Sequence, residues 1–139
     1  MVLLTRGLRK TFALPALVGL ALVVTAQASK AHSDGELYSP AFETCIKQSG
    51  GVTAQMVDCI RGELVIQDAK LNQAYRQSQK KLSKERRDQL TKAQRAWIIF
   101  RDANCAFYFD PEGGTMARLD AEQCILSATA YRVKELEGF

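Results

Sequence analysis

The sequence predicts an all-α domain, a small disulfide-stapled bundle of about four helices, two of them long and antiparallel. Three observations carry this. Apolar residues recur at spacings of three and four, and no stretch alternates with period two for long enough to make a sheet. Helix-start and helix-stop residues punctuate the chain at Ser39-Pro40, Gly50-Gly51, Ser83 and Gly113-Gly114. Four cysteines lie downstream of an apolar leader, and an even count in a short exported chain reads as a disulfide framework.

The leader comes first. Arg6, Arg9 and Lys10 form a basic start, Phe12 to Val24 an apolar core interrupted by Pro15, and Ala26-Gln27-Ala28 a small-residue cleavage site. Residues 1–28 are therefore expected to be a secretory signal, with the mature chain starting at Ser29. The apolar run is short for a membrane span and no second one follows, so no stable membrane anchor is expected after cleavage. The leader holds three of the 19 basic residues and none of the 15 acidic ones, which leaves the mature chain a net charge of +1. That balance asks for neither nucleic acid nor an anionic membrane as partner. About 111 remaining residues suit one domain with a modest core.

Residues 29–38 begin with a polar run through Gly35 and read as a disordered tail ahead of a helical domain over 39–137. Ser39 caps the first helix with Pro40 at its first position, and the helix stops at Gly50-Gly51. Thr53 is expected to cap a second helix reaching Leu82, with Leu64, Asp68, Leu71, Tyr75 and Leu82 near one face and a bend allowed at Gly62. Ser83 opens a third helix to about Phe107. Its Leu90, Ala93, Trp97, Phe100, Asn104 and Phe107 repeat at 3, 4, 3, 4, 3 and are expected to face the core. Residues 109–114 break that helix, and Thr115 is expected to cap a fourth, from Met116 to about Glu137, with Leu119, Leu126, Ala130, Val133 and Leu136 inward.

Four cysteines allow three pairings. Cys45 lies five residues before Gly50, and Cys59 six after Thr53, so the two flank the first bend; Cys105 and Cys124 flank the 109–114 turn. The sequential pairing, Cys45–Cys59 and Cys105–Cys124, follows. It removes most thiol chemistry from the available functions.

What remains argues for binding rather than catalysis. His32 is the single histidine and falls in the tail, no cysteine belongs to a C-x-x-C pair, and no Gly-rich phosphate loop is present, so neither metal nor cofactor is expected. Glu63 with Asp68, or Asp58 with Glu63, are five apart and point different ways on a helix, a poor start for a paired-carboxylate hydrolase. The inward polar residues say more. Asp68, Asn72 and Tyr75 share a face of the second helix, and Gln94, Trp97 and Arg101 a face of the third. Asp68 is expected to meet Arg101 or Arg132 in a buried polar clasp beside Trp97, which fixes helix register; a ligand pocket from the same residues is the alternative.

The segments Asp68 to Tyr75, Ala93 to Cys105, Gly113 to Thr115, Cys124 and Thr129 to Arg132 resemble the LprI-like lysozyme inhibitor family of bacterial secreted proteins, from Cys45 to Leu136. The resemblance implies a small helical domain outside the cytoplasm, periplasmic or secreted, that binds and blocks lysozyme. The family's founding inhibitor looks like a lipoprotein, whereas this chain has no cysteine at the cleavage site. The family supplies no motif for inhibitory residues. The loop from Phe109 to Thr115 is the expected partner contact, because Phe109, Asp110, Glu112, Gly113 and Gly114 join an aromatic and two acids to a flexible Gly-Gly, with no regular structure expected to constrain it. The competing reading is a periplasmic envelope interaction or stress module with another protein partner.

Overall fold

Each helix starts and stops where backbone chemistry requires it. In the computed structural model, which describes residues 37–139, four helices follow one another: α1 Pro40–Gln48, α2 Thr53–Lys81, α3 Lys84–Phe107 and α4 Gly114–Glu137. Among the described residues there is no strand. Ser39 caps α1 by accepting the Phe42 N–H, and Ser83 caps α3 by accepting the Arg86 N–H. The Ser83 hydroxyl and the Glu85 backbone N–H also hold the Glu85 carboxyl below its ordinary pKa, the backbone bond more strongly. The other two starts differ from expectation. Val52 rather than Thr53 is the cap of α2, Gly113 rather than Thr115 that of α4, and neither start has a side-chain cap bond. Gly62 does not interrupt α2.

The two turns need their glycines. Gly50 and Gly51 both take positive φ, +59° and +82°, and so reverse the chain after α1. Gly114 sits at +65°, and a Cβ on Gly113 would come within 2.7 Å of the Ala117 Cβ. Each turn is bridged by a disulfide in the expected pairing, with Cα atoms 5.7 Å apart in Cys45–Cys59 and 5.4 Å apart in Cys105–Cys124. Loops of this size contribute roughly 3 kcal/mol each in the chain-entropy account.

The packing order is α3, α4, α2, α1. Arg61 pairs with Glu122 at 2.5 Å near one end and Ser78 donates to the Leu136 carbonyl at 2.7 Å near the other, so α2 and α4 run parallel. Glu122 raises the Arg61 pKa further, through that hydrogen bond and its charge. The Cys105–Cys124 bridge and the bond from Arg132 to Gln94 place α3 antiparallel to α4. All five residues expected to line α4, Leu119, Leu126, Ala130, Val133 and Leu136, are buried. Leu119 and Leu126 cluster with Val57 and Ile60, and Val133 and Leu136 with Leu71, Ala74 and Leu90. A fully buried leucine such as Leu126 contributes about 2 kcal/mol.

The expected inward row of α3 is a correction. Leu90 is buried and Trp97 partly so, but Ala93, Phe100, Asn104 and Phe107 are exposed. The covered row is Leu90, Gln94, Trp97, Arg101 and Cys105. The physical reason is that α3 lies against α4 along one narrow face. That face meets the Arg132 and Thr129 side of α4, which takes polar partners.

A buried carboxylate joins α1 to α2. Glu63, 2% exposed, accepts from the Ser39 N–H at 3.0 Å, the Ser39 hydroxyl at 2.6 Å and Gln67 Nε2 at 2.7 Å. Gln67 also donates to the Leu37 carbonyl, and Tyr38 hydrogen-bonds Ser127 and packs on Phe42. The expected tail over 29–38 therefore ends before Leu37, since these two residues are tied to α2 and α4; its earlier part, the expected signal over 1–28 and His32 lie outside the described residues. Glu63→Ala would strip three donors of their acceptor and is expected to lower unfolding stability by about 3 kcal/mol, with Glu63→Gln intermediate. Urea denaturation checks this; an unchanged midpoint for Glu63→Ala would show that the carboxylate does not hold α1.

Candidate functional site

The inward polar residues of α3 and α4 do form a clasp, with different members from those expected. Arg132, 8% exposed, donates from Nε to Gln94 Oε1 at 3.0 Å and from Nη1 to Glu135 at 2.6 Å. Arg101 donates to Thr129 Oγ1 at 3.1 Å and pairs with Asp102 at 2.8 Å. Both guanidinium groups stand over Trp97, at 5.1 Å for Arg101 and 5.8 Å for Arg132. Trp97 thus supplies a π face to two cations, each neutralised by its own helix neighbour.

Asp68 is not part of it. Arg101 takes Asp102 and Arg132 takes Glu135, both on the same helix as their arginine, and Asp68 pairs with neither. Its own helix, α2, is covered in the middle by α4, so the faces of α2 and α3 that carry Asp68 and Arg101 do not meet. Asn72 folds back to the Asp68 carbonyl. Tyr75 instead closes the α2–α3 hairpin, sharing hydrogen bonds with Thr91 and Gln79. Among the described residues every fully buried side-chain nitrogen and oxygen has a partner. The bonds from Arg132 to Gln94 and from Arg101 to Thr129 tie α3 to α4 at one register.

The α3–α4 turn, by contrast, faces water. Phe109 is 52% exposed, and Asp110, Glu112, Gly113 and Gly114 are exposed with it. Asp110 Oδ1 accepts the Glu112 N–H at 2.9 Å, and the Asp110 carbonyl accepts the Gly113 N–H. Contrary to the expected flexible Gly-Gly, Gly113 is held by the turn and Gly114 begins α4. Two further exposed side chains extend the surface, Tyr108 and Met116, at 49% and 53%. Spacing does not single them out, since Tyr108 caps the end of α3 and Met116 lies in the first turn of α4. Phe109 and Arg118 border a groove of about 410 Å3 between the two helices, floored by the Cys105 side of the disulfide. Aromatic side chains on a rigid support are the groups that anchor protein interfaces.

The clasp and the turn make separable demands on substitution. Arg132→Ala is expected to cost about 2 kcal/mol, through two charge-assisted hydrogen bonds and lost packing on Trp97. Asp68→Ala is expected to stay within about 0.5 kcal/mol of the parent. Denaturant melts of the two variants decide this, and equal losses would restore Asp68 to the clasp.

No curated protein and no solved structure matches the chain. The family model described as "Lysozyme inhibitor LprI" matches residues 45–136, from the first cysteine of the bundle to the last buried leucine of α4. That span takes in both disulfides, the clasp and the exposed turn, and the chain belongs to the LprI lysozyme inhibitor family.

Proposed function

We propose that this chain is an exported, non-enzymatic binding protein that inhibits a lysozyme, and that it meets its target through the Phe109–Thr115 turn. The observation that carries the contact is the combination of exposure and fixation. The turn presents an aromatic and two acids, while the Cys105–Cys124 bridge, the Asp110 bond and the close approach of Gly113 to Ala117 hold its backbone. A contact loop ordered before binding loses little entropy on docking. The acids face the right sign of target, because animal-type lysozymes are basic, and charges at the rim of an interface act mainly on the association rate.

Membership of the LprI family supports the class of partner, and the N-terminal sequence supports a periplasmic or secreted location in a bacterium. No helix among the described residues is long and apolar enough to cross a membrane. The reading requires neither nucleic acid nor a cofactor.

A cell-wall lysis assay with the disulfide-intact protein and several lysozyme types tests it. Inhibition at micromolar protein is expected, and its absence against every type would leave an envelope interaction module as the reading. The double variant Asp110→Asn with Glu112→Gln removes both charges but keeps the oxygen that closes the turn. It is expected to raise the half-inhibitory concentration roughly tenfold at low salt, with an unchanged melting temperature. Full potency in that variant would place the contact elsewhere on the domain.

A further inference from the structure

Among the described residues, one face of α3 has no partner. Opposite its polar, α4-facing row runs a stripe of Ala96, Phe100, Ala103 and Phe107 at spacings of 4, 3 and 4, flanked by Ile99 and Ala106. All six are exposed, Phe107 at 86%, Ile99 at 70% and Phe100 at 66%. The stripe carries no polar residue over more than three turns. Scattered exposed apolar side chains are ordinary, but a continuous stripe at coiled-coil spacing is not.

We infer that α3 is a self-association surface, on which a second copy of this chain docks its own α3 in antiparallel orientation about a two-fold axis. The identity of the occupant follows from how the stripe matches itself. An antiparallel helix pair stacks each residue of one core position on the other core position of its partner. With the axis between Phe100 and Ala103, Phe100 meets Ala103 of the second copy, Phe107 meets Ala96, and Ile99 lies beside Ala106. Every large side chain falls on a small one, which lets the helices approach closely and interdigitate. A parallel pair would stack Phe100 on Phe100 and Phe107 on Phe107 and leave the alanines apart. Charge favours the same orientation. Lys92, on the N-terminal half of α3, comes level with residue 111 of the second copy, between its Asp110 and Glu112, whereas a parallel pair would set Lys92 beside Lys92.

Area sets the strength. At about 200 Å2 per phenylalanine, Phe100 and Phe107 together expose roughly 300 Å2 in each copy. With Ile99 and the alanines, a symmetric pair buries roughly 1,000 Å2 in total, near the lower limit for a specific interface. The dimer is therefore reversible, forming at high micromolar concentration, and it leaves the α3–α4 turn free at the lower concentrations of an inhibition assay.

Sedimentation equilibrium of the disulfide-intact protein from about 10 μM to 1 mM tests this without reference to lysozyme. A monomer–dimer equilibrium is expected, weakened by salt and abolished by Ala103→Glu, whose melting temperature at low concentration stays that of the parent because the position is exposed. Phe100→Ala should also lose the dimer. The exchange variant carrying both Phe100→Ala and Ala103→Phe keeps one large and one small residue in each layer and should regain it, at least tenfold tighter than Phe100→Ala. A monomer throughout the range overturns the inference, as does a dimer indifferent to Ala103→Glu. A dimer lost in Phe100→Ala and not regained in the exchange variant overturns the antiparallel register. A protein that stays monomeric while Phe100→Ala weakens lysozyme inhibition would assign the stripe to the lysozyme instead.

Discussion

The structure depends on α4 being the wall shared by two helices. Because α4 runs parallel to α2 and antiparallel to α3, its Leu126, Ala130, Val133 and Leu136 fill the space that α2 and α3 would otherwise close against each other. A helix buried from two sides needs a wide apolar surface, and α4 has one, with Thr129 and Arg132 inserted where it meets α3. The flanking helices then need far less. Helix α2 presents an apolar row broken by Glu63, Gln67 and Ser78, each satisfied by hydrogen bonds, while α3 presents a row that is mostly polar. The exposed stripe on the far side of α3 is the other half of that arrangement: the apolar residues of this helix are not needed inside.

Polar groups in such an interior specify more than they stabilise. An ion pair or carboxylate in a core contributes little net free energy against an apolar substitute, but it tolerates only arrangements that satisfy it. Glu63 is satisfied when Ser39 begins α1 at one particular height along α2. Arg132 and Arg101 are satisfied when α3 stands at one register on α4. The small domain thus fixes two helix placements, α1 on α2 and α3 on α4, each with one polar node and one disulfide, where its limited apolar core would leave sliding motions cheap.

The local features were legible in the sequence and the pairwise ones were not. Ser39-Pro40, Gly50-Gly51, Ser83 and Gly113-Gly114 act on the backbone nearest them, and the helix limits follow within a residue or two. The disulfide pairing was legible because both pairs bridge short turns. The buried row of α4 was legible because Leu119, Leu126, Ala130, Val133 and Leu136 recur at helical spacing. On α3 two rows share the helical period, Leu90-Gln94-Trp97-Arg101-Cys105 and Ala96-Phe100-Ala103-Phe107 with their neighbours. Periodicity shows that a helix has faces but not which of them another helix covers, and hydrophobicity favoured the wrong one. The Asp68 pairing failed for a related cause, since it assumed that α2 and α3 stay in contact beyond their hairpin. Glu63 was weighed as a catalytic acid, whereas its partners, Ser39 and Gln67, sit in segments whose meeting no spacing rule announces.

The two disulfides have connectivity 1–2 and 3–4, and their loops neither overlap nor nest. Each closes within a chain separation of 14 or 19 residues. A chain that emerges N-terminus first into an oxidising space exposes Cys45 and Cys59 together, then threads some 45 residues before Cys105 appears. The first pair can oxidise before any competing thiol is present, and the second pair then has only itself to choose. Native connectivity thus coincides with chain order, so delivery of the chain N-terminus first would favour the native pairs over the two crossed pairings.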